Sequence, residues 1–171
     1  MNRLARLFDH GRFRLSLLPE RLTRLRYFRG HGVHSPFVYA IVRQVFMRSS
    51  LDPKNEALYR RLREERVPHK GAVRLANLCA YCGCRQLSFA ADGGGDCLIV
   101  PRNTAPTAFA AYVQAARNAN GMLVILQPYL NRERAQACRT IAASHEGTSV
   151  DKFGFLLLFH NEKLPKQHYR I

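Results

Sequence analysis

The stretch DCLIVPRNTAPTAFAAYVQAARNANGMLVILQ, residues 96–127, holds two short apolar runs on either side of an alanine-rich segment. Asp96-Cys97-Leu98-Ile99-Val100 reads as a buried strand that Pro101 brings to an end. Ala105 to Asn118 has the composition of a helix, and Gly121 to Gln127 reads as the next strand. A strand, a helix of that length and a second strand make a βαβ unit, which pairs its strands in parallel.

Working outward, the same alternation continues on both sides. Downstream, Asn131 is placed to cap a helix that runs to about Ser144, followed by strands at Thr148–Lys152 and Phe155–His160. These last two lie too close for a helical crossover, so they are expected to form an antiparallel hairpin around Phe153-Gly154. Upstream, Gly93-Gly94-Gly95 reads as a turn, Gly83 to Ala91 as a helix, and Ala72 to Leu78 as a first buried strand. The expected fold class is therefore α/β, with about three parallel strands and a C-terminal hairpin.

Before residue 71 the texture is helical and basic. Ser35 followed by Pro36 has the form of an N-cap with proline at the first helical position. The helix it opens extends to about Met47, with Phe37, Ala40, Ile41 and Val45 as its apolar stripe. Asp52-Pro53 opens a charged helix over about Lys54 to Glu65. In the first 30 residues Leu4, Leu7 and Phe8 share one helical face, and Leu18, Leu22 and Leu25 another. Such basic amphipathic helices either pack on their own domain or lie on a partner. The chain divides on this reading into a basic helical region, 1–70, and a sheet domain, 71–171.

Charge narrows the choice of partner. Twenty-seven Lys and Arg face twelve Asp and Glu, a net +15. The first 70 residues hold 16 of the basic and six of the acidic residues. A field of this sign attracts polyanions, and arginine suits phosphate through its two-pronged guanidinium. RNA contact is expected through Arg3, Arg6, Arg12, Arg14, Arg21, Arg24 and Arg26, against the plainer reading of a solvated basic surface. No apolar run reaches about 18 residues and the N-terminus lacks an uninterrupted apolar core, so neither a membrane span nor a secretory signal is expected. A cytoplasmic location follows.

The five cysteines, Cys79, Cys82, Cys84, Cys97 and Cys138, are odd in number and unevenly spaced, which suits reduced thiols rather than a disulfide framework. Cys79-x-x-Cys82-Gly83-Cys84 has the turn of a zinc knuckle, yet no second ligand pair follows. Cys97, His69 and His145 would be ligands only through proximity in the fold. No metal ligand is assigned, and small buried residues or redox thiols are the other readings of the cluster. His31 and His34 flank Gly32 without a nucleophile or carboxylate nearby, so a structural join is expected there. Lys166, His168 and Arg170 are suited to phosphate, though a solvated tail is the simpler account.

Two segments carry a family resemblance. Gly32-Val33-His34-Ser35-Pro36-Phe37-Val38-Tyr39 lies near one end, and Phe153-Gly154-Phe155-Leu156-Leu157-Leu158-Phe159 with Leu164-Pro165-Lys166-Gln167-His168-Tyr169 near the other. Together they resemble a bacterial branch of the class I S-adenosylmethionine-dependent methyltransferases that has an N-terminal HSPF motif. The resemblance implies a Rossmann-like sheet, shortened here by about two strands and two helices. It also implies a cofactor loop after the first strand: an acidic residue, a glycine two positions on, and a second glycine four beyond that. Counted from the strand at Ala72–Leu78, those positions are Asn77, Cys79 and Gly83, so only the last glycine survives. The family's fourth strand normally ends in aspartate, where this chain has Pro101. Its fifth ends in paired aspartates, where Leu126-Gln127 stands. The implied protein is a methyltransferase-like pseudoenzyme that acts as a binding module for RNA or protein, without a cofactor. The alternative is a residual methyltransferase that keeps S-adenosylmethionine and works with a partner subunit. A sheet shortened in this way bares an edge, which favours a second copy or a full-length methyltransferase as partner.

Overall fold

The computed structural model describes residues 33–171, together with residues 12, 13, 15–19 and 22. Of the seven arginines assigned to RNA, only Arg12 is among them, and it is exposed; the other six lie outside the described residues. Leu17 is buried, whereas Leu18 and Leu22 are exposed.

Between residues 33 and 171, five α-helices and a mixed six-stranded sheet make an α/β fold. The helices are α1 (Pro36–Ile41), α2 (Glu56–Glu64), α3 (His69–Tyr81), α4 (Phe109–Asn118) and α5 (Arg132–Ser144). The strands are β1 (Leu87–Ser88), β2 (Cys97–Val100), β3 (Met122–Leu126), β4 (Thr148–Asp151), β5 (Phe155–Phe159) and β6 (Gln167–Arg170). Their order across the sheet is β1-β2-β3-β5-β4-β6. β1, β2 and β3 are parallel, β5 runs against both of its neighbours, and β6 pairs in parallel with β4.

The central strands are apolar on both faces because both faces are covered. Cys97, Ile99, Met122, Val124, Leu126, Phe155, Leu157 and Phe159 pack in one core with α1, α2 and α3. Their strand neighbours Leu98, Val100, Leu123, Ile125, Leu156 and Leu158 pack in a second core with α4 and α5. Residues 33–70 thus share the first core with the sheet, and the boundary between residues 70 and 71 falls inside α3.

Local signals explain most element ends. Ser35 accepts a hydrogen bond from the Val38 amide at the start of α1, and Asn131 accepts one from the Arg134 amide at the start of α5. α1 runs on into a π-helical turn, Val42–Phe46, and the Phe46 carbonyl at its end accepts from Arg74 Nε at 3.0 Å. The two segments that carry the resemblance meet in space: Phe37 and Phe159 contact edge-on, ring centroids 5.0 Å apart.

Two expected elements are corrected. Ala72–Leu78 is not a strand but the middle of α3. Ala72, Leu75, Ala76 and Cys79 are buried at helical spacing, while Arg74 bonds to the end of the π-helical turn and Asn77 to the loop after it, which a strand buried on both faces could not permit. Gly83–Ala91 is not a helix; it holds a turn, then β1, then bends. The parallel strand next to β2 is therefore Leu87–Ser88.

The link from β1 to β2 is only Phe89–Asp96, far shorter than a helical crossover. It closes because β1 is two residues long and the glycine run folds tightly back. The Asp96 and Cys97 amides both donate to the Gln86 carbonyl, at 3.1 and 3.2 Å. Gly95 has φ +112°, and a Cβ on it would stand 2.5 Å from the Gln86 oxygen. A Cβ on Gly93 would stand 2.0 Å from Ser88 Oγ. The Asp96 carboxylate then accepts from the amides of Arg85 and Gln86 and fixes the entry to β1. The edge expected to lie bare is thus only two residues long, which itself limits pairing with another chain. β6, expected as a tail, is the opposite edge strand.

Candidate functional site

In a parallel sheet, ligand sites gather beyond the carboxyl ends of the strands. Every strand but β5 runs the same way, and at the carboxyl ends of β2 and β3 protein side chains occupy the space. Arg134, on the first turn of α5, is almost wholly buried. Its guanidinium donates to the Leu126 carbonyl at the end of β3, from Nε at 3.2 Å and Nη2 at 2.9 Å. It also donates to Pro101 O, just past β2, at 2.9 Å, and to Thr104 O at 2.7 Å. The guanidinium carbon lies 4.8 Å from the centroid of the Phe109 ring. Burial, the largest cause, lowers the Arg134 pKa, and Arg102 nearby lowers it further.

The end of β1 is closed in a similar way. Tyr112 of α4 donates its hydroxyl to the Phe89 carbonyl at 2.9 Å. Ser88 Oγ donates to Ala90 O and accepts from the Ala90 amide, so its hydroxyl is spent within its own turn. Gln127, just past the end of β3, has φ +47° and donates its side-chain amide to Arg66 O at 3.2 Å.

The three positions first assigned to a cofactor loop sit elsewhere. Asn77 is on α3: its Oδ1 accepts from the Asp52 amide and from Asn55 Nδ2, and its Nδ2 donates to Ser50 O. It holds the loop before α2. Gly83 has φ +70° and ends α3 in the left-handed conformation, with its amide bonded to Ala80 O. Cys79, at the end of the same helix, is buried in a cluster of thiols.

That cluster unites residues distant in sequence. The Sγ atoms of Cys79, Cys84 and Cys97 all lie within 4.8 Å of one another, and among the described residues no other group of three or more His, Cys, Asp or Glu is arranged to hold one ion. Cys79 and Cys97 are 3.8 Å apart at sulfur. All five cysteines are free. The thiols divide the charge unequally. Hydrogen bonds with Cys84 and Cys97, then burial, raise the Cys79 pKa. Hydrogen bonds from Cys79 and Cys97 pull Cys84 down against burial and Asp96. For Cys97 the bond with Cys79 acts downward, but Cys84, burial and Asp96 outweigh it and the thiol is raised. Cys82, half-buried alongside, is pushed up to about 12 by burial and by Cys84.

The histidines weighed as ligands stay apart from this cluster. His69 shares a 2.8 Å hydrogen bond with Tyr59, and His145 Nε2 lies 3.1 Å from the Phe159 carbonyl. His145 meets His160 edge-on at 4.7 Å between ring centroids, and His160 Nε2 is buried without a partner. His34 is exposed; His31 lies outside the described residues. His168 accepts or donates at 2.8 Å with Ser149, and with Lys166 and Arg170 it lines a cavity of about 400 Å³ between α5 and β6.

Sequence reasoning missed Arg134, the residue that fills the strand ends. Its one signal was a charged residue on the face of α5 that also presents Ala135 and Cys138 to the core. None of the family models, curated proteins or solved structures compared with the chain matches it. No described helix is long and apolar enough to cross a membrane.

Proposed function

We propose that the chain is a methyltransferase-derived binding module that has given up catalysis and takes RNA on its basic surface. The observation that carries the reading is Arg134, whose guanidinium occupies the crevice at the ends of β2 and β3. A ligand that reached this crevice would have to displace a side chain bonded to three backbone carbonyls.

The corrected register adds support. If β1 corresponds to the family's first strand, the loop positions become Ser88, Ala90 and Gly94. The acid that should hold the cofactor is then a serine bonded within its own turn, and the first glycine is an alanine. The chain passes from there straight into β2, which on this reading is the family's fourth strand, with β3 its fifth. The carboxylates of both are replaced, by Pro101 and by Gln127.

The RNA part rests on the net charge of +15 and its concentration before residue 71. Beyond the N-terminal arginines, α2 presents Arg60, Arg61 and Arg63 to solvent, although Arg60 and Arg61 pair with Glu56 and Glu64 along the helix. Fluorescence anisotropy with a labelled single-stranded RNA tests it. We expect affinity to fall steeply between 50 and 200 mM salt, as phosphate neutralisation requires. Replacing Arg12, Arg14, Arg21 and Arg24 together by alanine should weaken binding at least about tenfold. Binding only to a protein partner, with RNA silent at low salt, would overturn this half of the reading.

A further inference from the structure

Three cysteines from three different segments converge at the end of α3. Cys79 belongs to the helix itself, Cys84 follows the left-handed turn at Gly83, and Cys97 opens β2. The turn is held by the Cys84 amide, which donates to Cys79 O at 2.9 Å. Cys97 is fixed independently, through its amide bond to Gln86 O and its parallel pairing with Leu87. Backbone, rather than the thiols themselves, thus sets the approach of the three sulfurs.

The spacing suits one ion. With metal–sulfur bonds of about 2.3 Å, sulfurs lie about 3.8 Å apart in a tetrahedral site and about 4.0 Å apart in a trigonal one. Cys79 and Cys97 already stand at 3.8 Å, and the remaining pairs need shifts of under about 1 Å from a 4.8 Å limit. The donors are sulfur alone, with no imidazole in the group, which selects soft cations. Access is available too: Cys84 and Cys82 line a cavity of about 300 Å³ that also touches Tyr81 and Asp96. It leaves room for a fourth ligand.

We propose that Cys79, Cys84 and Cys97 form a three-thiolate site for a single soft, closed-shell cation, zinc(II) or copper(I). Copper(I) is satisfied by the three sulfurs. Zinc completes a tetrahedron with Cys82 or a water from the cavity. Binding releases the thiol protons to solvent and involves no change of oxidation state. The site is independent of the methyltransferase reading, since none of its ligands lies at the carboxyl end of a strand.

The test is an anaerobic titration of the reduced full-length chain, with zinc(II) against a chromogenic zinc chelator and copper(I) against a copper(I) chelator. One equivalent of one ion should bind with sub-micromolar affinity. Cys84→Ser, at the half-buried ligand, should weaken it at least tenfold, while Cys138→Ser, in the opposite core, should leave it unchanged. Cobalt(II) added to the unaltered protein gives a second readout that does not depend on a variant folding: an intense sulfur-to-metal charge-transfer band. Zinc uptake that also falls in Cys82→Ser identifies zinc with a fourth cysteine. Copper(I) uptake indifferent to Cys82→Ser identifies the three-coordinate ion. Uptake of neither ion, uptake unaltered in Cys84→Ser, or cobalt binding without the thiolate band would each overturn the proposal.

Discussion

The guanidinium of Arg134 lies 2.9 Å from the carbonyl oxygen of Leu126, so a buried cation closes the carboxyl end of β3. Arg134 is buried and its hydrogen bonds run to backbone carbonyls at Leu126, Pro101 and Thr104. Arg134→Leu would lose the guanidinium's contact with the Phe109 ring and take a donor away from three carbonyls. We expect a loss of about 3 kcal/mol in urea unfolding, because the lost hydrogen bonds to buried carbonyls outweigh the relief of burying no charge, although Pro101 O keeps the Thr104 amide. A loss below about 1 kcal/mol would mean that water replaces the guanidinium easily and that the crevice is more open than its packing indicates.

The glycine run makes a second, contrasting pair of variants. Gly95→Ala sets a Cβ 2.5 Å from the Gln86 oxygen at a φ of +112° and should cost at least about 2 kcal/mol. Gly83→Ala meets nothing within 4 Å and pays only for its left-handed φ, about 1 kcal/mol. Thermal or urea unfolding of the two variants side by side checks the order. Equal costs would contradict the tight return from β1 to β2.

Acid should destabilise the protein through its paired histidines. Burial, then His145 and Arg117, lower the His160 pKa to about 4, and burial lowers His145 as well. Unfolded histidine titrates near 6.5, so the unfolded chain takes up the proton first. The contribution of the neutral ring is complete above about pH 6.5 and is lost as pH falls toward the folded value near 4. His160→Phe should flatten the stability profile across that window without loss at neutral pH, since Nε2 has no partner to forfeit. Urea midpoints from pH 4 to 7 read this directly, and an unchanged slope in the variant would contradict it.

The parts of the fold that were legible are those with a two-sided apolar run or a strong cap. Leu98-Ile99-Val100 and Leu123-Val124-Ile125 read as strands because both of their faces are buried, and Asn131 and Ser35 announced α5 and α1. The hairpin turn at Phe153-Gly154 was legible because the two strands lie too close in sequence for a helical crossover. β1 was not, because two half-buried residues carry no periodicity. The apolar density of Ala72–Leu78 then drew the strand assignment to α3, and with it the cofactor positions Asn77, Cys79 and Gly83. The partnership of Cys97 with Cys79 and Cys84 depends on that same short strand, whose pairing brings the start of β2 against the end of α3. Arg134 escaped notice because its partners are backbone carbonyls, which no side-chain pattern displays.

The most direct test of the central claim, a fold kept without its cofactor, is calorimetric titration of the purified chain with S-adenosylmethionine. We expect no detectable heat up to millimolar cofactor, both in the native chain and in the presence of RNA. Binding in the micromolar range would contradict the claim: it would show that Arg134 and Ser88 yield to the ligand and that a substrate remains to be found.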